Sequence, residues 1–315
     1  MATQTLAQAA LLINDEIVAG VAEDFITINP MFSYMPFIGY EGQGIIVNRE
    51  LTLGGADEFA VGATITATAK AAATFTRQTF TATKIIGDAE MDGLVQAESV
   101  GGGVDQLALE LSLKAKQVGR LFQQGMATGT GTGAQMNSLP SLCDSNTQYT
   151  TAATTQVLAW SLMDELLDLV KSKDGEADWI MMPARTLRSL KALYRSLGGT
   201  MPSDVLVMPD GTSRTVYKYE DIPVFKNEYL STTELLNGTG LTGGALTSVW
   251  AGVWDDGSRK IGLAAIHPIA VPGGLQVHAV GYKDNLDEEI WRVKQYANIA
   301  LFNRKGLARL TSISN

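Results

Sequence analysis

The chain has 315 residues, 45% hydrophobic and 18% charged, a globular composition too apolar for intrinsic disorder and too interrupted by charge for a polytopic membrane protein. Its net charge is −9, most of it in residues 1–104, which hold twelve acidic and four basic side chains; such a balance argues against tight nonspecific binding of nucleic acid. A single cysteine, Cys143, excludes an intrachain disulfide or cysteine-cluster metal site, and two histidines, His267 and His278, leave little for general-base catalysis.

The opening MATQT has no basic region followed by a long apolar run, so neither a secretory signal nor a membrane anchor is expected. Leu6, Ala9, Ala10, Ile13, Ile17 and Val21 recur at spacings of three and four, which predicts an amphipathic helix over 5–24. Residues 25–44 hold two prolines and five aromatics without a period. They read as an extended arm whose rings dock on another surface, a sign of assembly or wrapping. A strand follows over 44–53, with Ile45, Val47, Leu51 and Leu53 on one side, then a turn between Gly54 and Gly62. Residues 64–86 are Thr-rich and alternate strictly from Ile65 to Phe75, with a change of phase near Arg77 and Gln78 that predicts a bulge. A two-stranded hairpin with so thin an apolar face needs a partner surface.

Asp88–Ser99 reads as a short helix. The strongest helix covers Asp105–Ala127, where Leu107, Leu111, Ala115, Val118 and Phe122 form a stripe widened by Ala108 and Leu121. At about 1.5 Å per residue it is a rod of roughly 34 Å, and it stops at Gly129–Gly133. Val157–Lys173 predicts another helix, Ala177–Pro183 a strand, and Pro183 opens a third helix that ends at Gly198-Gly199. Short strands follow in VLVMPDG, IPVFKN and ALTSVWAGVW, and the rest, from KIGLAAI to the closing LARLTSI, reads mostly as long strands. The class is α+β, with no βαβ period and no internal repeat.

The segment Leu107–Leu142, a long helix ending in LFQQGMATGTGTGAQMNSLPSL, resembles the spine helix and glycine-rich turn of tailed-bacteriophage major capsid proteins, with Ser138-Leu139 where many relatives have Gly-Leu. The Trp-containing strand and Leu-rich helix of Ala177–Leu193 are similar to that family's axial domain, and the order of arm, Thr-rich hairpin and spine helix matches throughout. The resemblance implies the phage major capsid fold, shared with herpesvirus capsid floors and encapsulins. It implies an amino-terminal arm (1–43), an extended loop hairpin (44–86), a peripheral domain with the spine helix (87–140), an axial domain with a central mixed sheet (141–270) and carboxy-terminal strands returning to the peripheral domain (271–315). It further implies a non-enzymatic subunit without cofactors that self-assembles as hexamers and pentamers into an icosahedral shell around double-stranded DNA, in the virion and assembled in the host cytoplasm. Scaffolding protein, portal and decoration or cement protein are the implied partners, with packaged DNA not bound by sequence and no membrane. No fused scaffolding segment is expected ahead of the arm. The loop would lie over a neighbouring copy, with Arg49, Glu50, Asp57, Glu58, Phe59, Lys70 and Arg77 as candidate contacts between subunits.

Two rival functions stay open at this stage, an encapsulin-type compartment shell with enzyme cargo and a hydrolase using Cys143. Other chemical readings are weaker on the residues. GTGTG follows a helix and does not precede one, so it cradles no phosphate. Asp255-Asp256-Gly257 and the acidic run 284–289 lack the alternating oxygen ligands of a calcium loop. Some relatives join subunits by an isopeptide bond between a loop lysine and an asparagine. Lys70 and Lys84, with Asn298 and Asn303, supply those groups, but Ala69 and Ala71 give Lys70 no desolvating shell, so noncovalent shells are expected.

Overall fold

The computed structural model describes residues 30–101, 106–145, 148–207, 213–271 and 275–314; the helix expected over 5–24 lies outside them. In chain order the first strands are β1 (Phe37–Tyr40), β2 (Ile45–Thr52), β3 (Thr74–Phe80) and β4 (Thr83–Asp92), followed by helices α1 (Gly93–Gly101), α2 (Gln106–Thr128) and the single turn α3 (Leu139–Leu142). Then come β5 (Tyr149–Gln156), α4 (Trp160–Asp168), β6 (Trp179–Met182), α5 (Ala184–Ser196), β7 (Ser203–Val207), β8 (Ser213–Tyr219) and β9 (Ile222–Lys226). The chain closes with β10 (Leu246–Gly252), β11 (Leu263–Pro268), β12 (Leu275–Tyr282), β13 (Glu288–Leu301) and β14 (Leu307–Ser314).

The largest sheet has seven strands in the order β5-β14-β10-β6-β9-β8-β7, with parallel pairs β14/β5 and β6/β9 and the rest antiparallel. Its central strands are apolar on both faces because both are covered. In β6 the period of two sends Ile180 and Met182 toward Leu162, Leu166, Leu187 and Leu190 of α4 and α5, while Trp179 and Met181 join a second cluster with Met31, Phe32 and Phe122. A second sheet runs β1-β11-β13-β12, with β4 also on β13. The 14-residue β13 serves both its ends: Glu288–Ala297 pairs with β4, and Asn298–Leu301 with β11. Along α2, Leu107, Leu111 and Val118 pack on Ala89 and Val293 of this sheet. Phe122 and Met126, at its far end, enter the cluster under the seven-stranded sheet, so one helix ties the two sheets together.

Several expectations are corrected. The arm's rings dock within the chain: Met31, Phe32 and Met35 are buried, Phe32 meets Phe122 at 5.5 Å between ring centroids, and β1 pairs in parallel with β11. Over its described residues this stretch wraps its own chain. The alternating run Ile65–Phe75 is no strand until Thr74, because among the described residues no partner strand is present and the backbone closes on itself in turns, Lys70 N–H to Ala67 C=O and Ala71 N–H to Thr68 C=O. The break falls at Thr81-Ala82 between β3 and β4, not at Arg77. Residues 83–86, assigned to the hairpin, pair with β13, as do Asp88–Asp92, where a helix was expected; the Asp88 carboxylate takes both Nε and Nη2 of Arg292 at 2.7 Å. On α2 the stripe is not widened by Leu121, which is exposed, but by Gly119 and Met126. α4 ends five residues early because the Lys171 and Ser172 N–H groups are taken by the Lys305 carbonyl. β14 does not return to the β4–β13 sheet; buried on both faces, it fills the space between β5 and β10. β5 and β8 had no counterpart in the sequence reading.

Candidate functional site

The two-stranded hairpin β2–β3 projects from the rest of the chain with a firm root and an uncovered tip. At the root Ile45 and Phe80 are opposite one another and buried with Tyr40, Ile266, Ala300 and Phe302. Phe80 meets Phe302 edge-on at 6.4 Å, and the Tyr40 hydroxyl accepts the Ala82 N–H at 3.0 Å. Arg49 belongs to this root. Its guanidinium donates to the Leu301 carbonyl and stands 5.4 Å over the Phe80 ring; burial, helped by the charge of Arg304, lowers its pKa to about 10. A guanidinium so engaged inside its own chain is an anchor.

Beyond the root the cross-strand pairs set the faces. Ile46/Thr79, Asn48/Arg77 and Glu50/Phe75 share the outward face, leaving Ile46 and Phe75 exposed as 51% and 71% of their surface. A register shift between Glu50 and Thr52 re-aims the chain, and Leu51 and Leu53 emerge into solvent. The Thr52 and Thr74 hydroxyls close the ladder at 2.6 Å, and Gly55 N–H binds Ala71 C=O at 2.8 Å. Gly55 is required here, since a Cβ would collide with the Thr68 carbonyl oxygen. The tip then exposes Val61 and Ile65, with Phe59 half covered. Glu50, Asp57, Glu58, Lys70 and Arg77 are all exposed, and among the described residues none has an ion-pair partner. The structure thus puts six of the seven candidate residues on one projecting, solvated element and the seventh, Arg49, in its base.

The hydrolase reading needs a thiolate at Cys143. Cys143 is buried, its Sγ lies 3.6 Å from the Leu307 carbonyl, and burial pushes its pKa up to about 12, so the thiol stays protonated and inert. His267 directs Nδ1 at the Pro268 carbonyl, 2.9 Å away. The Asp255 carboxylate accepts the N–H groups of Gly257, Arg259, Lys260 and Ile261, which makes it a turn cap. Among the described residues no group of three or more His, Cys, Asp or Glu side chains could hold a metal ion, and no helix is long and apolar enough to cross a membrane. Asn298 is also spoken for: it donates to Thr81 C=O at 2.7 Å and accepts from the Asn137 and Ile299 N–H groups. As an isopeptide partner it would have to leave three internal bonds.

One charged group escaped the sequence reading. Arg309, inside β14, is 1% exposed and donates to Glu234 at 3.1 Å, to Ser248 at 3.0 Å and to the Tyr149 hydroxyl at 2.9 Å, with the Trp250 ring 4.8 Å from its guanidinium carbon. The available signal was a lone arginine in the apolar run LARLTSI, which must be paired if buried.

No protein-family model and no curated protein matches the chain. Solved structures do. An encapsulin from Synechococcus elongatus PCC 7942 superposes with a TM-score of 0.68 at 12% identity, over 100% of this chain and 97% of that one. The capsid of a native GTA particle superposes with a TM-score of 0.63 at 12% identity, over 100% and 96%. A chain of the phage G assembly of major capsid and decoration proteins gives 0.54 at 12%, over 90% and 89%. The chain has the α+β fold of these shell proteins.

Proposed function

We propose that this chain is the major capsid protein of a tailed phage, a structural subunit that self-assembles as hexamers and pentamers into an icosahedral shell around double-stranded DNA. The observation that carries the reading is the hairpin: a rooted, projecting element with a row of apolar side chains from Ile46 to Phe75 left in water. Apolar surface gains about 25 cal/mol per Å² when covered, and among the described residues no surface of the chain supplies that cover. A neighbouring copy does. Glu50, Asp57, Glu58, Phe59, Lys70 and Arg77 are then the contact residues, and the sheet of β4, β12 and β13 with α2 forms the rim while the seven-stranded sheet forms the capsomer centre. Scaffolding, portal and decoration proteins complete the particle, which assembles in the host cytoplasm.

The test is to replace Gly54–Ala73 with a short Gly-Ser link. Loop length changes closure entropy only slowly, so the subunit keeps its circular dichroism and melting temperature while light scattering and negative-stain microscopy show no shells. Shells of normal size and stability from the shortened chain would refute the role of the hairpin. The full-length superposition on an encapsulin favours a second reading, a compartment shell with an enzyme cargo. Particles purified after co-expression with the adjacent genes separate the two: nuclease-protected DNA supports the first, a co-purifying enzyme the second.

A further inference from the structure

We propose that residues 64–73 of one copy add as a strand to the open edge of β4 on another copy. This run has the pattern of a strand without the bonds of one. Thr64, Thr66, Thr68 and Lys70 alternate with Ile65, Ala67, Ala69 and Ala71, yet the backbone is left in local turns and Ile65 is exposed over 55% of its surface. A segment patterned for a ladder, and given none in its own subunit, is suited to pairing with a strand edge elsewhere. In its own subunit the ladder Thr74–Phe80 carries the run away from the root, and among the described residues no backbone bond joins it to β4. The partner, a second copy, rests on the shell reading; the pairing itself rests on the edge.

β4 pairs with β13 along one side from Thr83 to Asp92 without a register shift, and among the described residues no strand pairs with its other side. It holds no proline and no bulge, the usual guards of an open edge. At about 3.3 Å per residue it offers roughly 33 Å of backbone for pairing. Near its start the edge opens on a hollow of about 440 Å³ lined by Ile85, Ile86, Leu121, Gln124 and Met136, and Ile86 and Leu121 are exposed there. The faces of the two segments agree. Ile85, Gly87, Ala89 and Met91 lie on the α2 side of β4, while Asp88 and Glu90 turn the other way to Arg292 and Lys283. A strand added in either direction, with Ile65, Ala67, Ala69 and Ala71 on the α2 side, continues the apolar layer. It also sets the run's one charge, Lys70, on the face that carries Asp88 and Glu90.

The test reads backbone amides of the full-length protein. In assembled particles, hydrogen exchange at residues 64–73 and at the outward amides of β4 should be about a hundredfold slower than in the unassembled subunit. In the unassembled subunit, a synthetic peptide of residues 63–74 in excess should slow the same β4 amides. A peptide carrying Ala67→Pro and Thr68→Pro should not, since one of two adjacent N–H groups must point at the edge. In the full chain, the single variants Thr66→Pro, Ala67→Pro and Thr68→Pro should leave the melting temperature unchanged and slow assembly by about tenfold at alternate positions only. β4 amides already slow in the isolated subunit would show that another part of the same chain covers the edge, and would overturn the proposal. Slowing at 64–73 in particles without slowing at β4, or proline effects with no alternation, would place the run on a different surface and overturn it as well. Peptide protection of β4 in a chain that forms no particles would uphold the edge pairing and refute the shell; particles with β4 unprotected would do the reverse.

Discussion

Replacing Arg309 by methionine should be among the most damaging single changes in the seven-stranded sheet, and the reason is the partner it leaves behind. Arg309 and Glu234 have side-chain exposures of 1% and 3%, so the pair is screened by protein on every side. Removing one member of a buried pair costs about 3–5 kcal/mol, against a stability of roughly 5–15 kcal/mol for a whole domain. Glu234 keeps its bond from Ser248, but that hydroxyl and the Tyr149 hydroxyl both lose Arg309. The double variant Arg309→Met/Glu234→Leu removes both charges and should recover most of the loss. Burial is the largest influence on Glu234 and raises its pKa, while Arg309 and Ser248 pull it down. In Arg309→Met the main restraint is gone. The folded state then holds a proton that the unfolded carboxyl, near 4.5, has released, so stability falls as pH rises above that value and returns as pH drops toward it. Urea unfolding followed by the fluorescence of the buried Trp179 and Trp250, at about pH 5 and about pH 8, measures both effects. A double variant as unstable as the single, or a single variant that weakens further in acid, would refute the argument.

On α2, Leu111 is fully buried; Leu111→Asp should cost about 4 kcal/mol or more by burying an unpaired carboxylate, whereas Lys116→Ala should change the melting temperature little. Equal melting temperatures for Leu111→Asp and wild type would show that this stripe does not carry the packing. Cys143 should resist a thiol reagent in the native state and react fully in denaturant, because its thiol stays protonated to about pH 12; rapid native labelling would contradict its burial. Assembled shells boiled in detergent should run as a single band near 33.6 kDa, and a reductant-resistant ladder, lost on substituting Lys70 or Lys84, would reveal covalent joining.

What could be read from the chain alone was what a single period encodes. α2 was legible within one residue at each end because Leu107, Leu111, Ala115, Val118 and Phe122 all face one way, and every one of them is buried. β6, β10 and β11 were legible as apolar runs. The failures come where a second element decides. Ile65–Phe75 has the alternation of a strand, but alternation needs a ladder to become one, and the nearest strand pairs only from Thr74 onward. Asp88–Asp92 carries helix-compatible residues, yet β13 offers a register in which Asp88 meets Arg292, and the ladder wins. The aromatic arm does dock on another surface, but its period-free sequence does not say which, and Phe122 and Phe225 of the same chain supply it. In the candidate contact set, six residues were legible as solvated hairpin positions; Arg49 was not, because its partner Leu301 lies 252 residues away.

The placement of Arg49 also separates two jobs that the hairpin's composition had merged. An element that binds a neighbour must present its contacts at a fixed angle, or the ordering cost falls on every assembly step. If the hairpin contacts a neighbouring copy as proposed, the Ile45–Phe80 pair, the Phe302 ring and the Arg49 bond to Leu301 would meet that need beforehand. The tip, from Gly54 to Ala73, is held chiefly by its own turns and can adapt to the surface it meets. Arg49→Ala should therefore leave the tip's apolar residues in place yet loosen their aim. It would weaken assembly through the root, with the subunit still folded, whereas loss of Leu53 or Phe75 would weaken it through the contact itself. Native-state hydrogen exchange distinguishes these cases, because only the root variant should raise exchange at Ile45–Val47 and Gln78–Phe80. A variant at Arg49 that leaves that exchange unchanged while abolishing shells would place its guanidinium at the subunit contact after all.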